Sequence, residues 1–324
     1  MSNHVLPAVT KERGSTFVWQ RKKGNAIYKA YALLALTTLF WAGNSIAGKL
    51  AVGHVSPMVL VTIRWAIVMV ALFVLSRKQI AADWQAIRGR LAYLLLLGVV
   101  GFTGFSVALY YALVYTTAIN ASILQGGMPL FVFAASFILF SSRIAMEQML
   151  GFILSFIGVI VIAMQGEVAN LIALNVNVGD ALVIVAIIAY GIYTAALRSK
   201  PPIHWTSLLF MLCVGATCSS VPLLVLEATQ GGSRLPDTQG WALIAFIVVF
   251  PSLLAQVFYI RAVELIGANR AGLFVNLLPL WGALLAVTLI GEAFHSYHAV
   301  AVLMILAGIG LAEYGGRKLS RRQP

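Results

Sequence analysis

The sequence AINASILQGGMPLF, residues 118–131, returns in altered form 150 residues later as ANRAGLFVNLLPLW, residues 268–281. Both copies run from a short polar turn through small residues to a proline inside an apolar segment. Five of the 23 residues from 109 to 131 are identical to those 150 positions downstream, which is weak similarity by itself. The matched prolines and alanines nevertheless indicate an internal duplication, with the pairs Ala118 and Ala268, Ala121 and Ala271, Pro129 and Pro279, and Leu130 and Leu280.

The composition indicates which solvent surrounds the chain. Apolar residues make up 61% of the sequence and charged residues 10%. That charged share is roughly two fifths of the share in an ordinary soluble domain, so we predict that the chain folds in a lipid bilayer. The two cysteines, Cys213 and Cys218, lie five residues apart in one apolar segment, and neither a disulfide framework nor a cysteine metal site is expected.

Apolar runs of about 20 residues recur from Lys29 onward, and a helix of this length crosses about 30 Å of hydrocarbon. Several boundaries fall at turn-forming dipeptides, such as Ser56-Pro57 and Gly231-Gly232. The predicted fold class is therefore an all-α polytopic membrane protein. Its ten transmembrane helices are expected at about 29–51, 57–76, 91–115, 119–140, 147–164, 180–198, 205–226, 241–265, 270–290 and 298–314.

Lysine and arginine are distributed unevenly over the predicted loops. If the N-terminus is cytoplasmic, 19 of the 22 lysine and arginine residues lie on the cytoplasmic side, as the positive-inside rule requires. We therefore expect a multi-pass protein of the inner membrane with both termini in the cytoplasm. Residues 1–28 and 315–324 are then basic cytoplasmic tails, since the first is too long and too polar for a secretory signal.

The chain divides into two halves of five predicted helices each. The halves cover about 29–164 and 180–314 and are joined by an external linker at 165–179. An odd number of crossings in each half places the second half upside down relative to the first. Inverted repeats are typical of carriers that expose a central site alternately to the two membrane faces. A duplicated scaffold and a selective channel are the alternatives.

Several loose motifs occur in a fixed order along the chain. FWAGNSIAGKL lies at residues 40–50, YYALVYTTAINA at 110–121 and MPLF at 128–131; in the second half YIRAVELIGANRAG lies at 259–272 and LLPLW at 277–281. In this order and spacing the chain resembles the drug/metabolite transporter superfamily, specifically its ten-helix EamA-type metabolite exporters. The resemblance covers nearly the whole chain. It implies two five-helix repeats and the export of small metabolites.

Three polar residues lie inside the predicted apolar helices of the first half. The amide of Asn44 should face the bundle interior, where it either joins helices or contacts substrate. Lys49 lies near the outer end of its helix, where it either reaches the interface or adds positive charge to an outer vestibule. Arg64 lies about 10 Å inside helix two and stays charged. It either clamps the ends of helix one or three or attracts anions in the vestibule.

Polar and aromatic side chains at similar depth predict a central cavity between the repeats. Such a lining suits amino acids or similar zwitterionic or aromatic compounds, drugs included, and it lacks the cluster of cations that a polyphosphate would need. Tyrosines at helix ends fit an interfacial belt equally well. The predicted cavity residues are Trp41, Asn44, Ser106, Tyr110, Tyr111, Gln125, Tyr190, Tyr193, Gln256, Tyr259, Asn276 and Trp281.

Pro129 and Pro279 lie at equivalent positions of the two repeats. Each proline frees a backbone carbonyl about one turn upstream, near Gln125 and Asn276 respectively. Kinks there would bend helices four and nine around the centre and expose polar backbone where a cavity accepts it. We predict that the two prolines form a hinge or a cavity wall, the alternative being kinks without a function.

Ionisable groups are sparse within the predicted spans. Glu227 and Glu292 are expected at outer helix ends, Asp180 is expected to cap the start of helix six, and all five histidines are expected in loops or the tail. Similar transporters often have an acidic residue after helix four, whereas the register places Ser142 there and Glu292 in the second half. No catalytic residue, metal site or cofactor is predicted, and an enzyme is not expected.

The function predicted from the sequence is that of an inner-membrane secondary carrier that exports small metabolites by alternating access. An importer or exchanger of the same fold is the main alternative, because a carrier's direction depends on gradients and coupling. The expected partners are a small-molecule substrate and the lipid bilayer, and not nucleic acid. The protein is expected to be a monomer or a weak dimer.

Overall fold

The structure is a computed structural model that describes residues 12–140, 146–167, 177–266 and 274–321. Within these ranges the regular structure is entirely helical. The second copy of the duplicated stretch is described from residue 274 onward. Ser142, Ala268 and Ala271 lie outside the described residues.

The helices follow one another through short connections. One helix begins at Pro57, because the N–H that proline lacks is not needed in a first turn. Another ends at Ile290 and is followed by Gly291, which has the left-handed conformation with a φ of 68°. In chain order the helices are α1 Glu12–Leu50, α2 Pro57–Gly89, α3 Leu91–Tyr115, α4 Ala118–Gly126 continued by Met128–Phe140, α5 Met146–Ala163, α6 Val178–Ser199, α7 Trp205–Thr229, α8 Thr238–Ile266, α9 Phe274–Ile290 and α10 Ser296–Arg321.

Six of these helices are long and apolar enough to cross a membrane: α2, α3, α6, α7, α8 and the part of α1 from Ile27 to Leu50. Helix α4 becomes a seventh if its two parts count together, although they meet at a bend of 41°. Three shorter apolar helices lie at Met146–Ile162, Phe274–Ile290 and Ser296–Ala312. An all-helical, multi-pass membrane protein is thus confirmed, while crossing by ten helices stays a prediction. Helix α1 begins at Glu12, within the segment that was predicted to be a tail.

Helices at equivalent positions of the two repeats pack on one another. Helix α2 packs on α7, α4 on α9 and α5 on α10. Helix α3 packs on α6, and their equivalents in the other repeat, α8 and α1, also pack on each other. Gly151 and Gly308 allow α5 and α10 to approach closely. A methyl group on Gly151 would lie 2.3 Å from the backbone oxygen of Gly308, and a methyl group on Gly308 would lie 2.4 Å from the backbone oxygen of Gly151. Small residues serve this purpose in many membrane helix pairs.

One apolar core is shared by both repeats. Leu109 and Leu124 of the first repeat and Leu212 of the second are almost fully buried in it. Large apolar side chains also remain on the outside, among them Leu75 with 80% of its surface exposed and Ile138 with 77%. An apolar exterior around an apolar core fits a protein whose surroundings are lipid.

Helices α3 and α8 each contain a π-helical turn at nearly equivalent positions. The turns lie at Val99–Gly104 and Val248–Leu254, so the 150-residue register relates them almost residue for residue. A π-helical turn locally widens a helix and is often found at functional sites. In α8 the turn contains the buried Ser252, whose hydroxyl donates to the carbonyl of Ile247 at 2.6 Å.

Candidate substrate site

Helices α4 and α9, which contain the duplicated stretch, cross inside the bundle. Helix α4 is broken at Gly127, between its two parts. Helix α9 begins with a 3-10 turn at Phe274–Leu277 before Leu278–Ile290, so both helices change geometry just ahead of the matched prolines. At the crossing, a methyl group on Gly126 would lie 2.4 Å from Cγ of Pro279. The two helices therefore touch through a glycine and a proline, beside the break in α4 and the 3-10 turn in α9.

The predicted hinge prolines differ in their surroundings, because Pro279 is buried and Pro129 is half-buried. Gln125, one turn before Pro129, is buried, and its Nε2 donates to Oγ of Ser45 at 2.9 Å. This bond joins α4 to α1 at the depth of the crossing. Asn276 is half-buried in the 3-10 turn that precedes Pro279.

Arg64 is the centre of a buried polar cluster that joins four helices. Its side chain is 6% exposed. Nε donates to Oγ of Ser252 at 2.8 Å, and Nη1 donates to Oη of Tyr110 at 2.6 Å and to Oδ1 of Asn44 at 3.4 Å. The hydroxyl of Tyr110 also donates to Oδ1 of Asn44 at 2.9 Å. Asn44 and Tyr110, predicted as cavity residues, thus meet Arg64, which was predicted as a helix-end clamp or a vestibule charge, and Ser252 of α8 joins them.

The helix-end contact considered for Arg64 is made by Lys49 instead. Nζ of Lys49 donates to the carbonyl of Leu113 at 2.9 Å and to that of Thr116 at 2.7 Å, at the end of α3. A cation at a helix C-terminus offsets the negative end of the helix dipole. Arg64 is buried, and its hydrogen-bond acceptors among the described residues are side chains rather than helix-end carbonyls.

A row of aromatic side chains adjoins the guanidinium of this cluster. Trp65 lies beneath it, with 4.3 Å between Cζ of the arginine and the ring centroid. The Trp65 ring stacks on Phe102 at 4.4 Å, Phe102 contacts Tyr193 at 5.8 Å, and Tyr193 contacts Tyr190 at 5.3 Å. Nε1 of Trp65 donates to Oγ of Ser106 at 3.3 Å. Ser106 of α3 therefore lies near Tyr190 and Tyr193 of α6. Trp65 and Phe102, which were not predicted as cavity residues, connect them.

The remaining predicted cavity residues lie where α1 meets α8 and along α9. The rings of Trp41 and Tyr259 are 5.5 Å apart, and Gln256 is half-buried on the same helix as Tyr259. Nε1 of Trp281 is buried and has no hydrogen-bond acceptor among the described residues. A buried donor without an acceptor is uncommon in native structures, which marks this part of α9 as a place where a polar ligand atom could bind.

Tyr111 lies apart from the central residues, near the bundle end that contains the α1–α2 and α7–α8 loops. Its hydroxyl donates to Oε1 of Glu227 at 2.8 Å. Oε2 of Glu227 accepts from Oγ of Ser56 at 2.5 Å, and Oε1 also accepts from the backbone N–H of Met58 at 3.3 Å. Glu227 thus joins the end of α7 to the start of α2 and to α3.

A second polar network at the same end was not predicted. Asp180 is fully buried and accepts from the hydroxyl of Thr116 and, at 3.2 Å, from the amide of Asn120. Oδ1 of Asn120 lies 3.0 Å from Nε2 of His298, which is 2% exposed. Asn177, and not Asp180, caps α6. The expectations that Asp180 is a cap and that every histidine lies in a loop or the tail were therefore wrong.

Glu292 joins the end of α9 to the start of α4. Its two carboxylate oxygens accept from the backbone N–H groups of Ala118 and Ile119, both at 2.8 Å. The first N–H groups of a helix have no partner within the helix, and the positive end of the helix dipole favours an anion there. The equivalent position in the first repeat, Ser142, lies outside the described residues.

The α7–α8 loop folds back onto the α1–α2 loop. Asp237 caps α8, with Oδ1 accepting from the N–H of Gly240 at 2.8 Å, and Oδ2 lies 2.7 Å from Nδ1 of His54. The Gly240 N–H, and then the bond with His54, lower the pKa of the Asp237 carboxyl. The guanidinium of Arg234 donates to the carbonyl of Gly53. These contacts hold the two loops together.

A cavity of about 330 Å³ lies beneath these two loops. Gly48 and Leu60 line its inner part with Tyr110, and Arg234 lines its outer part. Tyr110 also belongs to the Arg64 cluster. The cavity and the buried cluster therefore share one side chain.

The sequence matches the model of the EamA-like transporter family twice, over residues 28–164 and 177–313. Similar curated proteins include the uncharacterized transporter YyaM of Bacillus subtilis, 22% identical over 86% of this chain and 92% of its own, and an uncharacterized transporter of Archaeoglobus fulgidus, 29% identical over 89% and 97%. A solved crystal structure that is 16% identical matches with a TM-score of 0.59 over 91% of this chain and 99% of its own, which shows a shared fold. The resemblance found in the sequence is thus confirmed, and the chain belongs to the EamA-like transporter family.

Proposed function

We propose that this protein is a secondary carrier that exports small metabolites across the inner membrane by alternating access. The substrates are amino acids or similar zwitterionic or aromatic compounds. Membership of a transporter family supports transport, and the similar proteins are named as transporters. In this proposal the two family repeats are inverted five-helix units that move against each other, and the protein performs no enzymatic reaction.

The observation that carries the proposal is the contact between α4 and α9, which depart from regular α-geometry at equivalent positions of the repeats. Gly126 of α4 lies against Pro279 of α9, and each helix loses regular α-geometry within about one turn of its matched proline. Where a helix loses its regular geometry, some backbone N–H and C=O groups lose their hydrogen bonds. A substrate can bind these groups only where the helix borders a cavity. Carriers built from repeats commonly bind substrate between such helices near the membrane centre.

The polar contacts at one end of the bundle support a conformation that is closed there. Glu227 with Ser56 and Glu292 with Ala118 each join one repeat to the other. At the same end, Asp237 and Arg234 join the α7–α8 loop to the α1–α2 loop. Alternating access requires these contacts to separate in a second conformation while the contacts at the opposite end form. Hydrogen bonds between neutral and charged groups have modest net free energies, so such an exchange is feasible.

The orientation follows from the charge distribution. Both termini are cytoplasmic in this proposal, and the end of the bundle that contains Arg234 faces away from the cytoplasm. The basic residues of the predicted cytoplasmic loops support this orientation. The closed end described above would then be the external one.

Counterflow in liposomes tests the carrier function. Purified protein is reconstituted into vesicles loaded with one unlabelled amino acid at a time, and uptake of the same labelled compound is followed. A carrier accumulates label transiently above equilibrium, because unlabelled substrate leaving the vesicle drives exchange. Uptake that rises only to equilibrium and does not saturate would indicate a channel. Uptake equal to that of protein-free vesicles for every compound would overturn the assigned substrate class.

A further inference from the structure

We propose that Arg64, with Asn44, Tyr110 and Ser252, forms the subsite that binds a carboxylate group of the transported substrate. This inference rests on the proposed carrier function and narrows its substrates to small molecules with a free carboxylate. Amines and esters of the same size would be poor substrates. The charge, the hydrogen bonding and the surroundings of the guanidinium lead to this assignment.

The guanidinium is buried without a compensating negative charge. Arg64 is 6% exposed, and among the described residues no carboxylate oxygen lies within 4.0 Å of it. Arginine keeps its charge inside proteins, and an unpaired buried charge is costly. The buried carboxylates of Glu227 and Asp180 bind neutral groups elsewhere. A bound anion would supply the missing charge.

The guanidinium also has donors to spare. Nε and Nη1 donate to the cluster, whereas Nη2 donates to no group in the described part of the chain. The hydroxyl of Ser252 gives its own proton to the carbonyl of Ile247, and that of Tyr110 gives its proton to Asn44. These side chains therefore act toward Arg64 as neutral acceptors and hold its plane. A carboxylate can accept from the free Nη2 of a guanidinium held in this way.

The external cavity leads toward this group. Gly48 and Leu60 line the cavity, and each lies four residues from a member of the cluster, Asn44 on α1 and Arg64 on α2. Residues four apart share one face of a helix, so the cluster lies one turn deeper beneath the cavity. Tyr110 lines the cavity and binds Nη1 of the arginine. Movement of that tyrosine side chain would connect the two.

The charges along this route suit a small monoanion. Arg234 is the charged residue that lines the outer part of the cavity, and the guanidinium of Arg64 lies beyond its inner part. One guanidinium balances one negative charge, so a polyphosphate would remain largely unpaired. Trp65 and Phe102 lie beside the guanidinium and offer apolar surface to the rest of a substrate. A small molecule with one free carboxylate fits this combination.

A binding experiment on the wild-type protein tests the carboxylate requirement. Thermal stability of the purified protein is measured with each of the twenty amino acids, with benzoate and lactate, and with the methyl ester of each. We expect at least one free acid to raise the unfolding temperature while its ester does not. Equal effects of acid and ester, or no effect of any free acid, would overturn the assignment. Because the wild type is used, this result does not depend on whether a variant folds.

Variants of Arg64 then test whether this residue causes the preference for a free acid over its ester. Arg64→Gln should weaken binding of the free acid about tenfold or more and leave ester binding unchanged, since truncating one member of a buried charge pair is costly. Arg64→Lys keeps the charge without the planar fork and should retain part of the acid preference. Arg261→Gln is the matched control, because Arg261 is exposed and pairs with Glu264. An acid preference that survives in Arg64→Gln would overturn the assignment.

The counterflow assay separates this inference from the proposed function. Acid-selective binding without counterflow would keep the carboxylate subsite and reject the carrier. Counterflow with equal rates for an acid and its ester would keep the carrier and reject the subsite. Acid-selective counterflow that is lost in Arg64→Gln would support both.

Discussion

Gly126 of α4 lies so close to Pro279 of α9 that a methyl group on the glycine would come within 2.4 Å of the proline Cγ. The contact joins the two repeats at the point where both helices leave regular α-geometry. Ser122, one turn earlier on α4, packs closely on Gly282 of α9. A methyl group on Gly282 would lie 2.1 Å from Cβ of Ser122. The proposed movement of one repeat against the other would therefore change the packing of α4 on α9.

Gly126→Ala should impair both stability and transport. Adding a methylene to a packed site commonly costs about 1–3 kcal/mol, and here the neighbour is a rigid proline ring. We expect a lower unfolding temperature in detergent and a slower rate of counterflow. Gly89→Ala is the matched control, because nothing lies within 4 Å of a methyl group there. Equal behaviour of the two variants would show that α4 and α9 do not pack as described.

Glu227→Gln should loosen the end of the bundle that contains the α1–α2 and α7–α8 loops. The carboxylate accepts from Ser56, Met58 and Tyr111, and an amide accepts with one oxygen only, so buried donors would lose partners at about 1–3 kcal/mol each. We expect a lower unfolding temperature and faster labelling of a cysteine placed at Leu60 by an impermeant reagent. Glu264→Gln, on an exposed pair of α8, should change neither measurement. Unchanged labelling of the Leu60 cysteine would contradict a closing role for Glu227.

Acid should weaken the α7–α8 loop through Asp237. Its folded pKa lies below the ordinary 3.8, chiefly because of the Gly240 N–H and then His54. A depressed carboxyl pKa contributes stability above the unfolded value, and that contribution is lost as the pH falls through the folded value. The difference in unfolding temperature between wild type and Asp237→Asn should therefore be constant from neutral pH down to about 4 and shrink below it. A difference that does not change with pH would reject the carboxylate as its source.

Labelling from the two sides of the membrane tests the orientation. In a background without Cys213 and Cys218, cysteines at Gln79 and Arg234 should react with impermeant thiol reagents from opposite sides. The reason is the excess of lysine and arginine in the predicted cytoplasmic loops. Gln79 should be protected in intact cells and react only after permeabilisation. Labelling of both positions from the same side would overturn the ten-helix topology.

The sequence by itself determined the membrane setting and the duplication, and it predicted departures from regular helix near Pro129 and Pro279. These depend on local properties: a run of apolar residues must be long enough to cross lipid, and a proline removes a helix hydrogen bond wherever the helix packs. Polar residues inside apolar runs also had to face the bundle. Asn44, Tyr110 and Arg64 could therefore be named as site candidates before their contacts were known.

Only the tertiary structure decided which of these side chains meet. Ser252 binds Arg64 across 188 positions of sequence, and His298 reaches Asn120 across 178. Asp180 could not be distinguished from a helix cap by its position near the start of α6. Lys49 likewise could not be distinguished from an interfacial lysine, because its hydrogen bonds to the end of α3 depend on how α1 and α3 pack. Such pairings depend on the angles and rotations at which helices pack, and these are set by side-chain fit over the whole bundle rather than by the residues flanking each group.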